Sequence, residues 1–234
     1  MKLLNFKGTP QGGVISPVLS NLFLHYVFDK WVTKHYPNTP WCRYADDGLL
    51  HCKSKHQAEL MLDVLAKRFK DCGLEIHPDK TKIIYCEDKS RKRKYINNSF
   101  EFLGYEFRPR RALGRGGVSF KAFTPAVSKS AIKSMIAEIR ENNITRRTNS
   151  DLADIADVWN PILRGWIVYY GVYRRSELIK VFRYFNAKLV KWVMRKYKKL
   201  KNRKNAAYEY MKNIFIKFPT LFSHWKFCEG KRFA

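Results

Sequence analysis

Acidic residues are scarce in this chain, and that scarcity excludes more than any other absence. Against 46 lysines and arginines stand 20 aspartates and glutamates, a formal net charge of +26 with a pI near 10.0. Such a surplus exceeds what solubility requires and is the electrostatic footprint of a polyanionic partner, most often nucleic acid. A membrane surface is the competing polyanion, but neither a lipidation signal nor a uniformly basic amphipathic helix favours it. Paired cysteines are also lacking. The five cysteines (42, 52, 72, 86 and 228) form no C-x-x-C pair, which argues against structural zinc and a disulfide framework and fits a reducing, cytoplasmic compartment. No signal peptide is evident at the amino terminus. Gly8 to Phe28 contains no Lys, Arg, Asp or Glu, long enough to raise a transmembrane helix. Gln11, Ser16, Pro17, Ser20, Asn21 and His25 interrupt it, so the expectation is a soluble, buried helix. With 45% hydrophobic residues in 234 positions, the chain can bury one large core or two small ones.

What is present reads as α+β followed by helices. Lys7 to Gly13 is a glycine-rich loop, and Ser16-Pro17 supplies a cap and first-turn proline for a helix that Pro37 ends. Trp41–Tyr44 and Gly48–Cys52 are two short β-runs with Ala45-Asp46-Asp47 at the bend, where Asp47-Gly48 is a turn dipeptide. Adjacent carboxylates on a tight turn repel each other; either water solvates them or a divalent cation sits beside them. Ser54-x-x-Gln57 has the form of a capping box, and Ala58, Leu62, Leu65, Phe69 and Cys72 line a helix that Gly73 stops. A turn at His77 to Lys80 leads into a predicted strand, Thr81 to Cys86, and then a basic loop, Lys89 to Lys94. Further strands are predicted over Phe100–Phe107 and Gly117–Phe123, joined by an Arg/Gly turn at Arg108–Gly116. Helices then follow around Ile132 to Ile139, from Ser150 to Tyr170, from a cap at Ser176, and from Ala206 to Phe218. Between Leu178 and Tyr208 there is no acidic residue. Lysines and arginines there, Arg195, Lys198 and Lys199 among them, share helices with Phe182, Tyr184, Phe185, Trp192 and Tyr197, a pattern suited to phosphate contact and stacking. The seam falls near residues 110–125, dividing 1–112 from 113–234.

In order along the chain come Thr9-Pro10-Gln11-Gly12-Gly13-Val14-Ile15-Ser16-Pro17, Tyr44-Ala45-Asp46-Asp47, Gly73-Leu74 with Pro78-Asp79-Lys80-Thr81, and Phe102-Leu103-Gly104. That series resembles the palm of a group II intron-encoded reverse transcriptase. The remainder, with Trp159-Asn160-Pro161, Arg164-Gly165-Trp166 and Tyr169-Tyr170-Gly171, resembles that family's thumb, or maturase domain. The resemblance implies a partial polymerase palm, an antiparallel sheet with helices, followed by an all-α thumb. It implies RNA-directed DNA polymerase chemistry, with Asp46 and Asp47 as ligands of Mg²⁺ and Lys80 neutralising charge or protonating pyrophosphate. Gln11, Gly12, Gly13, Tyr44 and Ala45 would approach template and nucleotide, and Phe102, Leu103 and Gly104 would lie beneath the primer end. Arg195, Lys198 and Lys199 would bind RNA. Lys80 is equally a solvated turn lysine, and Phe102-Leu103-Gly104 equally a core strand with a glycine bulge. The implied partners are group II intron RNA, an RNA/DNA primer-template and a separately encoded amino-terminal half.

One expected element is missing. The family takes a further aspartate from a strand upstream of the glycine-rich loop. Here Asp29 is the only acidic residue before Asp46, and it falls within a predicted helix. The expectation is therefore the carboxy-terminal part of a reverse transcriptase, without a terminal Cys/His endonuclease cluster. The alternatives are an RNA-binding maturase remnant that assists intron folding and splicing, or a non-functional fragment. A palm stripped of its first strands exposes apolar surface, so poor solubility is expected.

Overall fold

Apolar periodicity and caps account for most of the elements. The computed structural model describes residues 12–87, 95–114 and 117–228; Gln11 and the Lys89–Lys94 loop lie outside the described residues. The chain divides into two compact units between Tyr85 and Cys86.

In the first unit, α1 (Ser16–Leu24) opens with Pro17 in its first turn, and Ser16 is already helical, with Ile15 at the cap position. A π-helical turn, His25–Asp29, follows and leads directly into α2 (Lys30–His35). The expected burial of this run is only partly realised. α1 buries none of its residues, whereas Val27, Phe28 and Val32 of the next turns are buried. β1 (Trp41–Tyr44) pairs antiparallel with β2 (Asp47–Leu50), Trp41 opposite Leu50 and Tyr44 opposite Asp47. α3 (Lys55–Asp71) is capped by Ser54, whose Oγ accepts from the Gln57 amide at 3.1 Å. Gly73 ends it in the left-handed region with φ of 75°, while the Leu74 amide donates to Phe69 O and the Gly73 amide to Lys70 O. Those two bonds are a Schellman motif, in which glycine avoids the Cβ clash of a left-handed residue. The core joins Phe28, Val32 and Leu65 with Trp31, Trp41, Leu50 and Phe69 around them. Pro78–Lys80 forms the expected turn, but Thr81–Cys86 is not a strand and belongs to neither sheet of the described residues.

The second unit holds a three-stranded antiparallel sheet, β3 (Phe100–Phe102), β4 (Tyr105–Leu113) and β5 (Ser119–Val127), in that order. Arg108 to Leu113, expected in a turn, instead pair in register with Thr124 to Ser119. The connection is shorter than composition suggested, because alternate residues of this arginine-rich run pack against the sheet: Arg110 is buried, donating to Glu106 Oε2 at 2.8 Å and to Glu106 O at 3.0 Å. The sequence seam at residues 110–125 thus falls inside the β4–β5 hairpin, and the compact units divide earlier.

The helices are α4 (Lys129–Glu141), α5 (Leu152–Tyr170), α6 (Arg175–Lys196), α7 (Lys204–Lys217) and a short α8 (Ser223–Phe227). Asp151 and Asp154 form a reciprocal capping box at the start of α5. Ser176 does not cap α6; Arg174, with φ of 43°, occupies that position without a side-chain cap. α6 is central, burying Leu178, Val181, Phe182, Phe185, Leu189, Trp192 and Val193 against α4, α5, α7 and α8. Each such side chain contributes roughly 1.5–3 kcal/mol of transfer free energy. No helix among the described residues is long and apolar enough to cross a membrane.

Candidate active site and nucleic-acid surface

The paired carboxylates sit where backbone geometry displays them. Because Tyr44 pairs with Asp47, the turn residues are Ala45 and Asp46, two positions earlier than the Asp47-Gly48 dipeptide suggested. Asp47 and Gly48 belong to β2. Ala45 takes the strained left-handed conformation, φ 51°, which costs a residue with a Cβ about 1–2 kcal/mol. Tyr44, Ala45, Asp46 and Asp47 are all exposed. The underside of the hairpin rests on Phe28, which meets Trp41 edge-on at 5.4 Å.

Arg43 holds this turn, and reading the sequence did not single it out. Its Nε donates to Asp29 Oδ1 and its Nη2 to Asp29 Oδ2, each at 2.7 Å. Its Nη1 donates to the Ala45 carbonyl at 2.6 Å and to Asn21 Oδ1 at 3.0 Å. The guanidinium beside Asp29 holds that carboxyl below its usual range, outweighing the opposing effect of burial, with His25 Nδ1 at 3.2 Å adding to the lowering. Both carboxylate oxygens of Asp29 are thus engaged within the first unit. Composition held a hint. Asp29 has His25, Tyr26, Val32 and Thr33 at helical neighbour spacing, so no lysine or arginine of its own helix stands one turn away, and the guanidinium comes from another element.

The other expected residues of this unit are placed separately. Gly12 and Gly13 lie just before α1, separated from it by Val14 and Ile15, Gly12 with φ of 84°. Lys80 is exposed on the Pro78–Lys80 turn. No group of three or more His, Cys, Asp or Glu side chains that could hold a metal occurs among the described residues. The donor set at Asp46 and Asp47 still suits Mg²⁺, a hard cation that takes one or two carboxylates and completes its shell with water and substrate phosphate.

In the second unit, Leu103 and Gly104 are the two central residues of the β3–β4 hairpin, with φ of 51° and 74°. This is a tight turn rather than a bulge. Tyr169 Oη donates to the Leu103 carbonyl at 2.9 Å, and Tyr105 Oη donates to the Tyr169 carbonyl. Phe102 ends β3 beside this turn. Tyr105, Tyr169, Tyr170 and Tyr173 form one aromatic cluster there, with ring centroids 4.7–5.6 Å apart. The Trp159-Asn160-Pro161 run is structural. Trp159 is buried, and Asn160 ties down the entry to α8, donating to Leu221 O at 2.9 Å and accepting from the Ser223 amide at 2.8 Å. Lys198 and Lys199 are exposed on a 3₁₀ turn after α6. Arg195 is exposed too, but its Nη1 already donates to Thr145 Oγ1 at 3.1 Å.

Two family models match successive parts of the chain. Residues 2–107 match the family described as reverse transcriptase (RNA-dependent DNA polymerase), and residues 132–211 match the group II intron, maturase-specific domain. The first match runs past the division between the compact units and takes in the β3–β4 hairpin. Protein YkfC of Escherichia coli strain K12 is 31% identical over 135 residues, covering 42% of this chain and 32% of that protein. The chain thus spans about a third of that relative's length. The two matches follow the order in which the motifs occur, and the chain belongs to the family of group II intron-encoded reverse transcriptase/maturase proteins.

Proposed function

We propose that this chain contributes the paired-carboxylate turn of an RNA-directed DNA polymerase, together with a basic helical thumb that grips group II intron RNA or an RNA/DNA primer-template. The observation that carries the reading is the display of Asp46 and Asp47 on an anchored hairpin within a reverse-transcriptase segment. On this reading the first unit and the β3–β4 hairpin are palm, and the helical remainder is thumb. Asp46 and Asp47 would hold Mg²⁺. The bound ion supplies Lewis-acid polarisation of a phosphoryl oxygen and activation of an attacking hydroxyl. Gly12 and Gly13, with Gln11, offer backbone and amide contacts to template and nucleotide, with Tyr44 and Ala45 beside the carboxylates. Lys80 offers a proton and a positive charge to pyrophosphate. The Phe102-Leu103-Gly104 turn supports the primer end. The setting is cytoplasmic and nucleic-acid associated.

A second reading has its own support. No third His, Cys, Asp or Glu joins a metal-holding group among the described residues, and a two-carboxylate site positions Mg²⁺ poorly without a further ligand. The chain then acts as an RNA-binding maturase, or as a polymerase only when residues beyond those described supply the further ligand. Primer extension on an RNA template with Mg²⁺ separates these. Extension by this chain alone that Asp46→Ala abolishes establishes a self-sufficient polymerase. Absence of extension, with salt-sensitive binding to structured RNA that survives Asp46→Ala, establishes the maturase reading. In either case Lys198→Glu with Lys199→Glu should weaken RNA binding and flatten its salt dependence, by roughly one unit of log–log slope for each phosphate no longer neutralised. Unchanged affinity there would overturn the basic-thumb assignment. Arg195 is the poorer probe, because its bond to Thr145 makes a substitution partly structural.

A further inference from the structure

We infer that Arg43 is a positioning residue for the metal-binding turn, locked by Asp29 so that its one free arm fixes the Ala45–Asp46 peptide. The inference rests on the reading of Asp46 and Asp47 as metal ligands. Four hydrogen bonds radiate from one guanidinium to three separate elements. Two run to Asp29 in the π-helical turn, one to Asn21 on α1, and one to the carbonyl of Ala45 at the hairpin tip. The first two form a bidentate fork, which sets the plane of the guanidinium as well as its location. With the plane fixed, Nη1 has a single orientation toward the Ala45 carbonyl, 2.6 Å away. That carbonyl belongs to the peptide that leads into Asp46. Ala45 has no intrinsic reason to stay at φ 51°; left to itself, a residue with a Cβ prefers other regions. The two-residue hairpin loop demands that conformation, and the bond from Arg43 holds the peptide after Ala45 in one orientation, and so fixes the direction in which the two carboxylates leave the turn.

The helix contributes through its irregularity. In the π turn the Lys30 amide donates to His25 O, one residue further back than in an α-helix. This wider turn changes the angular phase between α1 and α2, and Asn21 and Asp29 both reach the guanidinium. The side chain of Arg43 is 11% exposed and that of Asp29 15%, so the pair is shielded from water and holds its geometry better than a surface ion pair. Lysine cannot replace arginine here. A single ammonium preserves the charge but cannot span a carboxylate fork and a carbonyl at once. That distinguishes positioning from simple neutralisation of the nearby aspartates.

The test uses Mn²⁺ alone as the probe, titrated against the full chain and read by the EPR signal of free ion. Thermal melting of each variant is followed by circular dichroism, and titrations are made well below every melting temperature. The expected result is Mn²⁺ uptake lost in Asp46→Asn and roughly tenfold or more weakened in Arg43→Lys, Arg43→Gln and Asp29→Asn. Arg68→Gln is the control. It removes a bond to the Val27 carbonyl in the same unit without touching the turn, and should lower the melting temperature while leaving Mn²⁺ affinity as in the wild type. Wild-type Mn²⁺ affinity in Arg43→Lys would overturn the inference while the paired-carboxylate site stands. Equal weakening in Arg68→Gln would overturn it by assigning the effect to general destabilisation. Mn²⁺ uptake that is absent, or indifferent to Asp46→Asn, would overturn the metal-site reading and the positioning role with it.

Discussion

At the scale of single residues, this chain solves two burial problems in opposite ways. Arg43 and Asp29 are charged and paired, every arm of the fork engaged. His224 is fully buried and neutral. Its Nε2 lies 2.7 Å from Asn186 Oδ1, which also accepts from Trp225 Nε1, and Nδ1 has no hydrogen-bond partner among the described residues. Phe182, Phe185 and Phe222 surround the ring at 5.2–5.9 Å. Burial alone pushes the imidazole down to about 3. The folded protein therefore resists protonation that the unfolded chain accepts near its ordinary value of about 6.5. Stability from this residue is fully present above that value and is lost as pH falls below it toward the folded value. By linkage, going from pH 7 to pH 5 should cost about 2 kcal/mol. Urea unfolding at both pH values measures it, and His224→Phe should show a smaller difference between the two, whatever its absolute stability.

At the scale of elements, the β3–β4 hairpin shows how one glycine permits a contact between distant segments. A Cβ on Gly104 would lie 2.5 Å from Tyr170 Oη, and the residue has φ of 74°. Gly104→Ala should therefore destabilise the second unit by more than the roughly 1–2 kcal/mol of a left-handed alanine alone. Urea denaturation gives the size of the loss; an effect of no more than about 1–2 kcal/mol would mean that Tyr170 swings aside freely. Elements with strong local chemistry were legible in the sequence. The Ser54 cap, the Gly73 stop, the apolar stripe of α4 and the Tyr44–Asp47 hairpin all follow from neighbours within a few residues. Elements that depend on a distant partner were not. Thr81–Cys86 has a strand's composition but joins neither sheet of the described residues. Arg108–Leu113 reads as a basic turn but is held in a sheet by β5 and by the Arg110–Glu106 bonds.

For the whole molecule, charge and apolar exposure are the two quantities that matter. The +26 balance makes any association with RNA steeply dependent on salt. The apolar surface of the first unit is a separate matter. Val18, Leu19, Leu22, Phe23 and Tyr26 lie along one stripe of α1 and its continuation, and each is at least 40% exposed. Soluble monomers seldom leave such a stripe uncovered. The isolated chain should self-associate and bind a hydrophobic dye. Leu22→Lys with Phe23→Lys should reduce both, as seen by light scattering and dye fluorescence, with little change in melting temperature because neither side chain is buried. Unaltered association would place the sticky surface elsewhere.

Residue identity alone established the family, the order of its parts and the location of the carboxylate turn. These rest on motifs at short spacing, and short spacing survives without knowledge of the fold. Tertiary structure decided which side chains hold the turn in place. Asn21, Asp29 and Arg43 are 8 to 22 residues apart and meet only because a π-helical turn and a hairpin bring them to one point. No local pattern encodes that meeting. Asp29 looked like a carboxylate in the wrong place for metal, and in the fold it is instead the anchor of the arginine that steadies the two carboxylates beside it.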